Sequence, residues 1–425
     1  MNKIHRLSCV PNNYHWGKLG SESKVAQFMA TDPSFKLDEK LSYAELWMGT
    51  HKSGMSVLNN DRNVSLAALI SQNPTAYLGD KVAQKYNNDL PFLFKILSIK
   101  TALSIQAHPN KKLAEQLHAE RPSVYKDPNH KPEMSIALTD FEALSGFRPL
   151  EEIAKFVGFF SPELSSLVGK DNANHLNTIA TSGISSFSLD QQKQILKDSF
   201  SSLMKTDPET VASHIKLLLD KDVPQTSEFY SIWKLAHRLN TQYPDDIGVF
   251  CIFFLNIIHL SPGQAFFMGA DEPHAYIYGD CVECMASSDN VVRAGLTPKY
   301  RDVDVLVDML TYQYGPGSDK LTKEVQFISN GSPLTYSTLY NPPIEEFSVL
   351  KTDLPSSNLS ENINLNGGPA IAIIVDGSGT ISVTGSNDHI PASKGNVFFI
   401  PNNVQFSFTS SSSSNLLAYT AFCSI

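Results

Sequence analysis

The succession of local patterns constrains the fold of this chain more than any single motif does. To about Pro149 the sequence is a series of short extended runs, such as Ala44-Glu45-Leu46-Trp47-Met48-Gly49 and the apolar stretch 92–105. That stretch reads as one buried strand leading into Gln106. A short helix is expected over 112–117, with Asn110 as its cap. Between Leu150 and about Asp246 the pattern changes. Apolar residues recur every three or four positions through 151–157, 191–203, 208–219 and 226–239, as amphipathic helices require. Asp207-Pro208-Glu209-Thr210 reads as a helix start, with aspartate as the cap and proline in the first turn. The helical spacings form no internal repeat. From Ile257 the texture is β again: 257–260, a Pro262-Gly263 turn, then 265–267. Farther on, 370–375, 379–383 and 395–401 read as strands separated by Gly, Asn and Ser turns, with the serine run 410–414 as an exposed loop. Closely spaced strands of this kind favour a barrel or a sandwich, here interrupted by a helical insertion.

A chain of 425 residues allows two or three such domains. With 42% hydrophobic and 18% charged residues it has an ordinary soluble composition. A net charge of −9 argues against nucleic acid as a partner, since a phosphate backbone needs an extended basic face. A small phosphorylated ligand remains compatible, because a few local cations suffice for it. The five cysteines, Cys9, Cys251, Cys281, Cys284 and Cys423, are too sparse for a disulfide framework and fit a reducing compartment. Cys281-Val282-Glu283-Cys284 has C-x-x-C spacing but no second pair, and reads as two buried apolar side chains. Residues 1–11 lack the apolar core of a signal peptide, and the most apolar stretch, 247–260, is too short to cross a membrane. A cytoplasmic location is expected.

Chemistry concentrates in two places. Gln106 and His108, in Ser104-Ile105-Gln106-Ala107-His108-Pro109, stand two apart, so both would leave one face of a strand. Glu133, in Asn129-His130-Lys131-Pro132-Glu133, offers a carboxylate, and His274, in Glu272-Pro273-His274-Ala275-Tyr276, a second imidazole. A Gln/His/Glu/His set suits zinc. With a single anionic ligand the ion would keep positive charge and Lewis acidity. Taken singly, a buried histidine is more often a hydrogen-bonded core residue than a ligand, Glu133 reads as an ordinary helix-start carboxylate, and Gln106 alone carries no signal. The second place is the segment 279–301, where Glu283, Asp289, Arg293 and Lys299 sit among Cys281, Val282, Met285, Val291, Val292 and Leu296. Charges embedded among apolar residues face a pocket more readily than a solvated loop does.

The motifs QAHP, NHKPEM, EPHAY, GDCVECMASSDN and VRAGLTPK resemble, nearly residue for residue, those of the type I mannose-6-phosphate isomerases. NYHWGKLGSESKVAQ and AELWMGTH resemble that family's opening. The resemblance runs from about Asn13 to Tyr312 and more weakly beyond. It implies a cupin (jelly-roll) barrel core in two parts, 1–149 and 247–325, with a helical domain inserted at 150–246 and a second, cupin-like barrel at 326–425. It also implies a zinc-dependent interconversion of mannose 6-phosphate and fructose 6-phosphate, supplying mannose 6-phosphate for GDP-mannose synthesis and glycosylation. One zinc per chain is expected, on Gln106, His108, Glu133 and His274, and the family's active-site arginine falls on Arg293. Family pocket residues match Ser104, Lys131, Tyr276, Glu283, Asp289 and Lys299. In the C-terminal barrel Phe406 stands where the cupin motif carries histidine, and His389 is the one histidine nearby, so no metal is expected there. The working unit is expected to be a monomer, with a sugar phosphate as its small-molecule partner and no membrane.

An aldose–ketose exchange must remove a proton beside a carbonyl and stabilise a cis-enediol, so it needs cations at the oxygens and a base over the carbon. Arg293 would be the fixed cation. Glu283, Asp289, His130 and Lys131 all qualify as the base by type. Ser104 and Lys299 are the expected phosphate contacts, with Lys131 as the alternative. Two competing readings are a non-catalytic cupin that binds or senses a sugar phosphate, and an Fe(II) cupin oxygenase. Retention of Arg293 and of the metal set counts against the first. Gln106, in a place where oxygenases favour histidine, counts against the second.

Overall fold

The structure is a computed structural model that describes residues 3–425. Two antiparallel sheets of eleven strands each dominate it. In the first, the strands run in the order Leu321–Thr322, Ala265–Met268, Glu133–Ala137, His274–Ala286, Phe92–Ile99, Glu45–Met48 and Pro11–Asn12. The thirteen-residue strand His274–Ala286 organises this sheet. Its second half lies between Phe92–Ile99 and Glu133–Ala137, and its first half pairs with Phe141–Phe147 and Ile105–Ala107. The pairings branch and do not close into a ring among the described residues.

The apolar stretch 92–105 is therefore not one strand. It forms Phe92–Ile99, breaks at Lys100, and resumes as Ile105–Ala107 in a different part of the sheet. The break follows from competition for the backbone. Lys100 and Thr101 donate their N–H groups to the Trp16 carbonyl, and Leu103 donates to Tyr276. Continued pairing beside the first strand would need those same donors.

The helices of the insertion are Leu150–Phe159, Lys170–Ser182, Leu189–Met204, Pro208–Asp220 and Tyr230–Gln242, followed by the short Gly248–Cys251. Asp207 and Asn110 cap their helices as expected, accepting from Thr210 and Leu113. Ser188 and Gln191 form a capping box. The helix Lys170–Ser182 escapes the periodicity reading because it buries only Leu176 and Ile179. The last long helix begins at Tyr230 rather than Thr226, after a turn in which Ser227 donates to the Pro224 carbonyl.

The second sheet is built from the C-terminal part of the chain plus two strands from its beginning, His5–Ser8 and Val57–Leu58. His5–Ser8 pairs with Val397–Ile400. The segments 370–375 and 379–383 join into one strand, Ala370–Val383, that runs through a bulge at Ile374–Asp376 and Gly377 (φ +78°). Its parity divides two cores. Ala370, Ala372 and Ile374 face a core with Phe398, Phe406 and Phe408. Ile371, Ile373 and Val375 face a second one, shared with Phe92, Phe94, Ile96, Met134 and Val282 of the first sheet. The two sheets thus bury one face against each other.

Candidate metal centre and its cavity

Parity also builds the site. In Ile105–Ala107 and Val292–Gly295, Ile105, Ala107, Val292 and Ala294 enter the helical core. Gln106 and Arg293 consequently point the other way. Strand register then sets Gln106 directly between His274 on one neighbouring strand and Arg293 on the other. The proposed amide, imidazole and guanidinium form one row across three strands.

His108 follows the end of its strand, fully buried, and Glu133 opens the strand Glu133–Ala137. His108 Nδ1 lies 2.7 Å from the Asn290 carbonyl, and His274 Nδ1 lies 3.0 Å from the Glu272 carbonyl. A carbonyl only accepts, so each Nδ1 carries a proton. The two Nε2 atoms converge on Glu133 Oε2, at 3.3 Å from His108 and in a 3.2 Å hydrogen bond from His274. Burial lowers His108 to about 4 against the opposing pull of Glu133, so its ring is neutral near neutrality. Burial alone would raise the Glu133 carboxyl, but Lys131 and His108 outweigh it and hold it well below the usual range. Lys131 Nζ sits 3.2 Å from the other oxygen, Oε1. His108 Nε2 makes no hydrogen bond despite its burial. Three ligating atoms within 4.8 Å of one another, with both imidazoles oriented by carbonyls, could hold a metal cation. Gln106 Oε1, the fourth candidate, accepts from Ser104 at 3.4 Å, and Gln106 pairs with His274 across the strands. Asp271 ties the two histidine segments together. Its N–H donates to the His108 carbonyl, and its carboxylate accepts from Asn110 N and Nδ2.

A cavity of about 350 Å³ opens beside this cluster. Gln106 and Lys131 line it together with Ser104, Asp289, Arg293 and Lys299. Other clefts, such as that between Glu142, His259 and Tyr278, do not reach the cluster. Arg293 is half-buried, burial lowers its pKa, and among the described residues no carboxylate pairs with it. Asp289 faces His51 at 3.3 Å and is about half exposed, with a side-chain exposure of 54%. The expected ligands His108, Glu133 and His274 do not line it, and three further expected residues are absent as well. Tyr276 is buried, donating to Glu283 at 2.7 Å and accepting from Ser135. Glu283 is buried against Lys95 at 3.1 Å. His130 turns away to Glu346, at 2.6 Å.

The sequence reading missed Lys95, Glu45 and Trp47, all of which line the cavity. The Trp47 indole donates to Glu45, and Lys95 sits 4.9 Å over the Trp47 ring. Burial disfavours a charged Lys95, but Glu283, Glu45 and Glu133 more than offset this and raise its pKa. The signal was a single lysine inside an otherwise apolar strand, Phe92–Ile99. The C-x-x-C pair is buried and unpaired. Cys281 and Cys284, three apart on a strand, enter different cores and do not face each other. His389 is exposed, and Phe406 lies in the apolar core of the second sheet.

The fold and site define a metal-binding protein of cupin-like architecture, mainly β with a helical insertion. The family descriptions that match are phosphomannose isomerase type I: the catalytic domain over residues 4–150, the helical insertion domain over 167–255 and the C-terminal domain over 337–386. Mannose-6-phosphate isomerase of Rattus norvegicus is 42% identical, with 99% of each chain covered. That of Saccharomyces cerevisiae is 45% identical, with 94% of each covered. Among solved structures, a zinc-bound mannose 6-phosphate isomerase superposes with a TM-score of 0.80 at 27% identity, covering 99% of this chain and all (100%) of that one. A glutamate-to-alanine mutant of phosphomannose isomerase from Salmonella typhimurium gives 0.81 at 28% identity, with 99% and 100% covered. The chain belongs to the type I phosphomannose isomerase family.

Proposed function

We propose that this protein is a zinc-dependent aldose–ketose isomerase that interconverts mannose 6-phosphate and fructose 6-phosphate through a cis-enediol. The observation that carries the reading is the row His274, Gln106, Arg293, in which a metal-ligand cluster adjoins an unpaired guanidinium across one cavity. Membership of the family supports it.

His108, Glu133, His274 and Gln106 would hold one zinc per chain. Bound there, the ion would supply Lewis acidity toward sugar oxygens. Every other requirement falls on side chains. Arg293, without a carboxylate partner, is available to stabilise negative charge as a proton leaves the carbon beside the carbonyl. Lys131 and Asp289 are the two proposed bases that line the cavity, and either could exchange a proton with bound sugar. Glu283 and His130 do not line the cavity and are held by Lys95 and Glu346, so we assign them support rather than proton transfer. Ser104 and Lys299 remain the proposed phosphate contacts, and we assign Tyr276 to holding Glu283. We further propose a catalytic unit formed by residues 1–149 and 247–325, with 150–246 as the insertion and 326–425 as a metal-free C-terminal unit. The protein would act as a cytoplasmic monomer, feeding GDP-mannose synthesis and glycosylation. Among the described residues no helix is long and apolar enough to cross a membrane.

The test is a coupled assay of mannose 6-phosphate isomerisation, with zinc measured on the same sample. Zinc-loaded protein without turnover, yet binding the sugar phosphate, would favour a non-catalytic sensor instead.

A further inference from the structure

The helical insertion reaches the cavity itself, and its exit, residues 242–248, grips both walls. On one wall, Ala102 N–H donates to Gln242 Oε1 at 3.0 Å, and the Tyr243 hydroxyl donates to the Ala102 carbonyl at 2.6 Å. Ala102 lies just upstream of Ser104 and Gln106. On the other wall, Asp246 Oδ1 accepts from Leu296 N at 2.6 Å and from Gly248 N at 2.7 Å, while Oδ2 accepts from Thr297 N at 3.1 Å. A carboxylate that only capped the following turn would need Gly248 alone. Two of these three donors come from a loop about fifty residues later in the chain.

That loop is shaped from outside. Leu296 holds φ +52°, a conformation that non-glycine residues adopt only when their surroundings impose it. The two backbones touch: a Cβ on Gly248 would lie 2.5 Å from Leu296 N, and one on Gly295 would lie 2.6 Å from Gly248. Directly after Arg293, the loop places Leu296, Thr297, Pro298 and Lys299 in the cavity lining, and Tyr243 lines the cavity too.

We infer that Asp246 is a positioning residue that sets the Leu296–Lys299 wall for an anionic substrate, and that Tyr243 is the insertion's own part of that cavity. This rests on the reading that the cavity takes a sugar phosphate. The test uses full-length, zinc-loaded Asp246→Asn, in which an amide donor replaces one acceptor oxygen and opposes a backbone N–H. KM and kcat for mannose 6-phosphate, the inhibition constant of inorganic phosphate, zinc content and melting temperature are measured together. KM and the phosphate constant should both rise, by roughly tenfold, as for a lost charge-assisted hydrogen bond. The turnover number should stay within about threefold, and zinc content should not change. Tyr243→Phe, which loses the grip on Ala102 but keeps the ring, should shift the same two constants in the same direction by less.

A folded Asp246→Asn enzyme with unchanged KM and phosphate constant, or with loss of turnover alone, would overturn the inference. Should that variant not fold, unchanged constants in Tyr243→Phe would do so. If the unsubstituted protein does not isomerise the sugar, the underlying reading fails instead. Calorimetric titration with phosphate then still decides whether Asp246 sets an anion-binding wall.

Discussion

At the scale of single residues, the sharpest expectation concerns Arg293. Lysine keeps the charge but presents a point donor where the guanidinium offers a planar fork. Arg293→Lys should lose about 2.7 kcal/mol of transition-state stabilisation, roughly a hundredfold in turnover, with zinc content intact. Stopped assays on zinc-quantified protein would show this, and near-normal turnover would make the residue structural. His108 supports a prediction about pH. Folding lowers its pKa from 6.5 to about 4, so the unfolded chain binds the proton more readily between those values. Stability from this group is therefore complete above about pH 6.5 and is lost as pH falls toward 4. In chelated protein the loss should be on the order of 3 kcal/mol. Urea midpoints across that window should fall more steeply for the wild type than for His108→Gln. The grouping of His108, Glu133 and His274 was legible because their motifs are long and their residue types are costly to bury without a purpose. Lys95 was not, because an apolar run invites reading past its one charge. The outward turn of His130 depends on Glu346, a partner that no local pattern announces.

Elements with a private chemical signature were the easiest to read. Asp207-Pro208 and Asn110 cap the helices they were expected to cap, because a cap is a bond between residues three apart. Where tertiary pairing decides, local reading fails. The stretch 92–105 breaks because Trp16 and Tyr276 claim its amides, and Ala370–Val383 stays continuous because Gly377 absorbs a bulge that reads locally as a turn. The capping box of Leu189–Met204 provides a control remote from the chemistry. Ser188→Ala should cost about 1 kcal/mol in thermal or urea unfolding while leaving turnover and zinc content unchanged. A loss of activity there would mean that the insertion is more tightly coupled to the cavity than its exit segment alone implies.

For the molecule as a whole, the shared core between the sheets makes the C-terminal part a structural partner of the part that carries the candidate metal centre. Ile373 is fully buried on that shared face. Ile373→Ala should destabilise by about 2–5 kcal/mol, measured as a lowered urea midpoint. Zinc binding should persist in the fraction that remains folded. Chelation should abolish isomerase activity, and added zinc should restore it at one ion per chain. His389→Ala should alter neither zinc content nor activity. A second stoichiometric metal, lost in that variant, would contradict the view of the C-terminal part as a metal-free support.

The pairing of His5–Ser8 with Val397–Ile400 has a consequence for biosynthesis. The strand His5–Ser8 must wait until residues 9–396 have been made before this partner exists. Until then its backbone edge is open, as are the apolar faces of Phe92–Ile99 that will lie against Ile371 and Ile373. Such a nascent chain can assemble its helices at once but cannot complete either sheet early, since long-range pairing comes last and slowly. Truncations that remove the last strand, Leu416–Phe422, should therefore behave as folding defects. They would accumulate as aggregates or chaperone-bound chains, even though every proposed metal ligand has already been synthesised.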